Sequence, residues 1–568
     1  MEASTVRLPS DSVREADWRR TRMTIKTRHT LLFIACMQPA LLHAVMTDNL
    51  TIGNAKALSL GHAVTADPPG IDSIHFNPAG LTRLTGRQAE LKLVTGVFDT
   101  ILEFGDHYTD SWTRKLNAAQ QGSPSDYTYD EARGQTSTSE GPAVMLPGQG
   151  MTELPVVASV LGGASYQPPG SDLTFATNVY SPLMVGFYRA DDDPGRFVGR
   201  ALSFTLLAYF SPSVAYKFTD TLSVGAAITF NYAGVGFDLE FREPNLGLQW
   251  LETLRQGSCN TSAPANLFDL SDLIPCIPES EAIKLYDSMA YMYFEVEDPL
   301  TFGVNFGVLW EAAPWLHFGA VYQSPIEMDM EGSFTWTQGD SFLNFLQEYD
   351  KISPVPFSAL GPLANLVEPV VEGEANLDLT MPDHFALGTS IQITPKLKMN
   401  ADLKFTRWSL WDALTIEYSE VLSVLFVASL VQPDAAPAPL GQNLVLRMDL
   451  EDTWNYALGF EYQWNNNLAL RFGFEDRPSS IPDDRLTPIL PIGDAKLYSV
   501  GAEYKASQKQ TFSCAVASMQ SSYSMPGNTT ELGNSEDPVK LIYNPYSGND
   551  ITASVKVLLF EASYRFYF

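Results

Sequence analysis

The chain is short of charge. Only 18% of its 568 residues are Asp, Glu, Lys or Arg, where a soluble domain carries about a quarter. Cations are the scarcer sign: 36 Lys and Arg stand against 66 Asp and Glu, a formal net charge of −30. Binding nucleic-acid phosphates needs patches of Lys and Arg, so this balance argues against nucleic acid as a partner. It suits acidic surface loops instead. Long apolar runs are missing too. No stretch reaches the roughly 18 residues of a membrane helix. Histidine and cysteine are rare, at seven and four. No CxxC or HExxH spacing occurs, which leaves a zinc site without support, and no metal or cofactor is expected. A hydrolase needs His near Ser or Asp. His317, at a strand start beside a turn, reads as a polar interface residue rather than a base. An enzyme is not expected.

What the chain does have is aromatic side chains. They make up 12% of it, as 24 Tyr, 32 Phe and 10 Trp, yet the mean hydropathy is −0.06. A sequence both aromatic and hydropathically neutral can be apolar on one face of every strand and polar on the other, as a transmembrane barrel is. A large soluble all-β protein fits the composition alone equally well.

The N-terminus reads as a targeting signal over residues 1–44. Arg19, Arg20, Arg22, Lys26 and Arg28 form a basic region, Leu31 to Leu42 an apolar one, and Ala44 supplies a small residue for cleavage. This is a secretory pattern and too short for a membrane span. Translation starting at Met23 fits the long basic region. A lipoprotein signal ending at Cys36 is the rival, with little apolar sequence before it. Export places the protein beyond the inner membrane of a Gram-negative cell, where disulfides persist. Cys259 and Cys276 share one polar, proline-containing stretch and could close a loop worth about 3 kcal/mol. Cys514 lies within a strand pattern as an apolar filler.

From Arg87 to Phe568 the dominant signal is period-2 alternation. Trp454, Tyr456, Leu458, Phe460, Tyr462 and Trp464 alternate with Asn455, Ala457, Gly459, Glu461 and Gln463. After the turn Asn465-Asn466-Asn467, Leu468, Leu470, Phe472 and Phe474 alternate with Ala469, Arg471, Gly473 and Glu475. Charges at Glu461 and Arg471 suit a wet interior rather than a dry sandwich core. The final strand carries Leu558, Phe560, Ala562, Tyr564, Phe566 and Phe568 on one face. Glu561, Ser563 and Arg565 occupy the other. About fourteen strands follow, near 87–99, 154–167, 173–188, 201–218, 221–241, 291–311, 315–331, 377–393, 396–418, 445–464, 468–475, 496–506, 510–523 and 553–568. Short turns alternate with long connections, the pattern of an antiparallel outer-membrane barrel with long extracellular loops. Short helices are expected at 246–256 and 267–273. Asp191-Asp192-Asp193 reads as a solvated run, with divalent-cation binding as the alternative.

Residues 45–86 do not alternate. They hold a helix-compatible stretch, Asn54 to Ala66, and then Phe76-Asn77-Pro78-Ala79-Gly80-Leu81. Proline fixes φ and Asn tolerates turn geometry, so Asn77, Pro78 and Ala79 form a rigid turn. The segment is either a simple leader to the barrel or a plug folded into its lumen.

Several pieces together resemble the FadL-like outer-membrane transporter family of long-chain fatty-acid and aromatic-hydrocarbon channels. They are Asp67 with Phe76 to Leu81; Phe302-Gly303-Val304-Asn305-Phe306-Gly307-Val308-Leu309-Trp310 and then Val321 to Pro325; Met381-Pro382-Asp383 with Phe405-Thr406-Arg407-Trp408-Ser409; and Asp452-Thr453 before Ala457-Leu458-Gly459. The loops do not match. The resemblance implies a monomeric barrel of 14 strands over 87–568, closed by a hatch at 45–86 with short helices. Hydrophobic small molecules would be captured at the outer loops, bound inside, and released sideways into outer-membrane lipid through a kink in the third strand. Lipid and lipopolysaccharide would surround the wall. Such a route keeps a greasy molecule out of water throughout. A general diffusion porin for polar solutes is the alternative, and a displayed enzyme or adhesin a third. The presence of a hatch is what separates the first two.

In this sequence the third strand carries Pro182, with Gly186 following. A proline belongs at a bulge or break in a sheet, so Pro182 marks either the wall opening or a tolerated site near the strand's outer end. Where the family often has a basic residue before the aspartate opening the tenth strand, this chain reads Leu450-Glu451-Asp452. Glu451 would repel a fatty-acid carboxylate, which favours a neutral hydrocarbon or ester as cargo. Arg242, ending the fifth strand, is either a carboxylate partner or a solvated strand-end charge.

Overall fold

Side chains that alternate apolar and polar along a strand need two different surroundings, and a closed ring supplies them. In the computed structural model, which describes residues 50–108, 130–242, 286, 288–353, 356–431, 439–491, 493–535 and 544–568, fourteen antiparallel strands close on themselves. In chain order they are β1 (Arg87–Tyr108), β2 (Val157–Tyr166), β3 (Leu173–Tyr188), β4 (Ala201–Phe210 continued by Ser213–Lys217), β5 (Leu222–Arg242), β6 (Ser288–Ala313) and β7 (Leu316–Gln323 continued by Ile326–Gln338). They continue as β8 (Val370–Met381 and His384–Thr394), β9 (Leu397–Thr406 and Ala413–Tyr418), β10 (Asn443–Arg447 and Thr453–Gln463), β11 (Leu468–Arg477), β12 (Ala495–Ser507), β13 (Gln510–Met525) and β14 (Asn549–Tyr567). Each pairs with the next, and β14 pairs back with β1 from Gln88 opposite Tyr567 to Tyr108 opposite Asn549. The expected strands are all present. The first runs on to Tyr108, and the tenth is interrupted between Arg447 and Thr453. The signal peptide, Cys36, Cys259, Cys276 and the helices expected at 246–256 and 267–273 lie outside the described residues.

The outer face is aromatic and aliphatic. Phe302, Phe306, Trp310, Trp454, Phe472 and Tyr498 project from it, exposed, and Phe568 closes the row on the last strand. On the inner face of β14, Glu561 is buried and Arg565 pairs with Glu90 of β1 at 3.1 Å.

The lumen has two halves. Toward the short turns it is occupied by residues 50–86, nearly all of them buried. Toward the long connections it is packed with apolar side chains, among them Phe204, Met292, Phe294, Met330, Phe334 and Trp336. The wet interior expected from Glu461 and Arg471 is therefore corrected. Arg471 is buried and paired with Glu461 at 2.6 Å, and that cluster faces the enclosed segment rather than open water.

β6 serves both halves by changing phase. Met292, Phe294 and Val296 point inward at even positions, and Thr301, Gly303, Asn305 and Leu309 at odd ones. The pairing with β5 slips between Asp298 and Thr301. One inserted residue turns every later side chain to the opposite face.

The enclosed segment is shorter in helix than expected. The only α-helical part of Asn54 to Ala66 is Ala55–Ser59, capped by Asn54, whose side chain accepts from the Ala57 amide. Gly61 then adopts φ +58 and His62 φ +57, which ends the helix. Here the chain presses on the wall: a Cβ on Gly473 of β11 would lie 2.0 Å from the Gly61 nitrogen. Gly473→Ala should therefore unseat this turn, at a cost of about 1–3 kcal/mol typical of overpacking. The expected result is faster protease cleavage within residues 50–86 while the barrel keeps its heat-modifiable gel migration.

Candidate functional site

Segment 50–86 is the hatch, and polar bonds hold it. Asp72 accepts from Lys92 of β1 at 2.6 Å, with both side chains almost fully buried, and from Asn54 at 2.7 Å. Its neighbour Asn178 on β3 donates to the same carboxylate. Asp67 gathers Lys398 at 2.6 Å, Lys56 at 3.0 Å and Arg83 at 3.4 Å. Asp402 of β9 accepts the amides of Val64 and Thr65, each at 2.8 Å. His62 meets Glu475 at 2.8 Å, and Glu475 also takes Lys404 at 2.7 Å and Arg477 at 3.0 Å.

The predicted turn is part of this seat. Asn77 donates to the carbonyls of Thr65 at 2.8 Å and Val308 at 3.0 Å, and caps the Pro78–Arg83 turn by accepting from Ala79. Pro78 lies against Gly225 of β5, and Ala79 is fully buried.

Pro182 sits at a break in the wall. β3 pairs with β2 only from Phe175 opposite Tyr166 to Val179 opposite Gly162. From Tyr180 onward no ladder joins them, and Val157 to Leu161 of β2 pair with β1 alone. On the other side, the pairing of β3 with β4 slips between Tyr180 and Leu183. Ser181 bridges the slip, its hydroxyl donating to Leu206 at 2.8 Å and Leu183 at 3.0 Å, while its carbonyl accepts from the Thr51 hydroxyl of the hatch at 2.9 Å. At its outer end β3 bonds instead to a loop, Tyr188 pairing with Gly141. Gly186 lies beneath that loop: a Cβ there would stand 1.9 Å from the Ala143 carbonyl oxygen, so only glycine fits.

Two cavities flank the break. The smaller, about 50 Å³, is lined by Pro182, Tyr180, His75, Asn305, Gln323 and His384. Burial pushes the His75 imidazole of the hatch down to about 3, with His384 nearby adding to the shift, so the His75 ring is neutral. The larger, about 110 Å³, is lined by apolar residues that include Leu183 and Val185 of β3, Phe204, Trp408, Trp411 and Leu450, with Thr453, Asn455, Arg477, Ser479 and Ser480 as polar members. Trp408 and Trp411 stand edge to face at 5.5 Å.

Two expected site residues lie elsewhere. Arg242 is fully buried and is neither solvated nor open to cargo. Its guanidinium forms a two-pronged pair with Asp130 at 2.8 and 2.9 Å, against the rings of Phe197 and Tyr546. Glu451 is exposed, with its amide bonded to Ser480, while its neighbour Leu450 faces the cavity. Sequence reasoning missed Asn455 and Arg477 as cavity residues. Alternation placed Asn455 on the inner face and leaves Arg477 in phase with Arg471 and Glu475, but nothing local marks either as lining a hollow.

A family model described as outer membrane protein transport protein (OMPP1/FadL/TodX) matches residues 33–568. The chain belongs to that family. A long-chain fatty acid transport protein of Escherichia coli is 22% identical over 208 residues, 36% of this chain and 39% of the relative. The chain thus spans well under two thirds of that relative's length. A Pseudomonas aeruginosa FadL homologue shares the fold with a TM-score of 0.62 at 16% identity, over 92% of this chain and 99% of that one. The Ralstonia pickettii toluene transporter TbuX does so with a TM-score of 0.53 at 14% identity, over 91% and 98%. In this FadL/TodX-family barrel of the outer membrane, the buried Lys92–Asp72 pair tests how the hatch is held. Asp72→Asn keeps the shape and strands Lys92, so hatch seating should weaken by about 3–5 kcal/mol. Hydrogen exchange of the amides in 50–60 should accelerate, with the barrel strands unchanged.

Proposed function

We propose that the protein is an outer-membrane channel for passive uptake of hydrophobic compounds, long-chain fatty acids or hydrocarbons. They bind inside the barrel and leave sideways into the membrane between β2 and β3. The observation that carries this reading is the loss of the β2–β3 ladder from Tyr180 onward, with Pro182 at the edge of an internal cavity. A barrel wall is normally sealed by its hydrogen bonds. Where they stop, an apolar molecule inside can reach lipid without crossing water. The packed apolar outer half of the lumen and the hatch filling the inner half both disfavour a wide polar pore. The names of relatives agree, one being a fatty acid transporter and one a toluene transporter. The exposed aromatic rows suit a barrel that works as a monomer among lipid and lipopolysaccharide.

Glu451, exposed and outside the cavity lining, no longer speaks against an acid as cargo, and the lining includes Arg477, which is paired with Glu475. The test of lateral release is Pro182→Val, which restores an amide donor and a β-former at the break. Uptake of a radiolabelled hydrophobic substrate by cells carrying the variant should fall several-fold at equal surface expression. Unchanged uptake would refute exit at this point.

A further inference from the structure

The break between β2 and β3 is crossed on the outside of the barrel by a hairpin of the first long connection. Its arms, Ala143–Leu146 and Gly150–Glu153, pair with each other, and its base closes where the Leu154 amide donates to the Pro142 carbonyl at 2.9 Å. Alternation fixes which surface it covers. Val185, Phe204, Leu206, Ala233, Phe294 and Val296 belong to the lumen core. Gly186, Thr205, Gly234 and Glu295 alternate with them and so face outward. The hairpin touches all four. Ala143 lies over Gly186 of β3, and the Met145 amide donates to Thr205 of β4 at 3.2 Å. The Met145 side chain rests on Gly234 of β5, and the Met151 amide donates to Glu295 of β6. Both ends of the hairpin lead back to the far side of the break: Ser139 bonds Thr100 of β1 at 3.1 Å, and Val157 enters β2.

Base and tip are held differently. At the base, the Glu140 amide donates to the Tyr188 carbonyl at 2.8 Å and the Tyr188 amide to Gly141 at 2.9 Å. Over β4 to β6 no ladder joins hairpin and wall. Two amides on side chains, and a flexible methionine on glycine, hold it there. A hollow of about 480 Å³ lies beside the tip, lined by Gly148, Gly150, Glu295, Glu297 and Glu331. A tip seated by so few bonds opens far more readily than a strand ladder.

We propose that hairpin 143–153 is an external strap on the exit. Docked, it holds the outer half of β3 in place. Lifted, it lets β3 move away from β2 and widens the break for cargo. This rests on the lateral-release reading above and adds what restrains the opening. Beyond Tyr180, β3 has no ladder to β2, so the hairpin seated on Gly186 does part of what the missing rungs would do.

The experiment tethers the strap with Met145→Cys and Gly234→Cys together. Their Cβ positions lie 3.1 Å apart, a few tenths of an ångström short of the roughly 3.5 Å at which disulfides begin. Cells carrying the folded double variant are assayed for uptake of a radiolabelled hydrophobic substrate after oxidation and again after dithiothreitol, with the tether followed by mass spectrometry. Uptake should be several-fold lower when oxidised and recover on reduction. Each single variant, treated alike, should show no difference. In the wild type, the Met145 and Met151 amides should exchange hydrogen at least roughly tenfold faster than the β3–β4 ladder beneath them. Equal uptake by the oxidised and reduced double variant overturns the strap and leaves lateral release, tested at Pro182, standing. Failure of the tether to form, or exchange as slow as the ladder's, overturns it as well. If the wild type takes up no hydrophobic substrate, both readings fall together.

Discussion

A carboxylate enclosed at membrane depth must find a cation, and the arrangement around Asp67 shows how much of the molecule follows from that. Asp67 belongs to the hatch, and Lys398, one of its partners, belongs to β9. Lys398 also binds Glu461 of β10, which binds Arg471 of β11, which binds Glu503 of β12. Four neighbouring strands are thus joined by alternating charges that end on the hatch. Taking such charges out of water is favourable only when each is paired and hydrogen-bonded. Barrel and hatch therefore complete each other: without the hatch, Lys92 would lose its carboxylate, and without the wall, Asp72 would lose its cation.

This polar seat divides the interior. Below, charge pairs and close backbone contacts fix the hatch in one place. Above, the lumen is filled by Met, Phe and Trp side chains with small hollows among them. The break in β3 lies where the two regions meet. Thr51 of the hatch bonds Ser181 beside Pro182, and His75 of the hatch faces Tyr180 at 5.2 Å. The hatch is consequently in contact with the end of the β2–β3 ladder and with the floor of the cavity next to it. Any shift of residues 50–86 is felt at both.

The strands were legible because alternation is a local signal repeated fourteen times, and the last strand displays it most clearly from Leu558 to Phe568. Pro182 stood out because a proline cannot donate to a ladder, and the β2–β3 ladder ends close before it, at Val179. What could not be read depends on residues far apart in sequence. Arg242 looks like a free strand end until Asp130, 112 residues earlier, is brought against it. Glu461 and Arg471 look like lumen charges facing water until Lys398 ties Glu461 to Asp67 of the hatch. The phase change in β6 was missed although Pro299 lies in the bulge, because alternation on either side of Asp298 to Thr301 reads as one long strand. Asn455 was correctly placed on the inner face, but that it lines a hollow emerges only when Trp411 and Leu183 are brought to the same cavity.

The seam between β1 and β14 has a consequence for how the molecule is made. Its rungs join residues at opposite ends of the barrel sequence, such as Ala89 with Phe566. Pairings this remote form slowly, because the closure entropy of the intervening chain comes before any reward. Until the final residues arrive, β1 presents an open edge ready to pair with any other strand. The hatch, joined to the start of β1, has to be gathered in before the ring shuts. Assembly of this barrel is thus an ordered enclosure, in which a long-lived open intermediate must be shielded from aggregation until its last aromatic strand zips the seam.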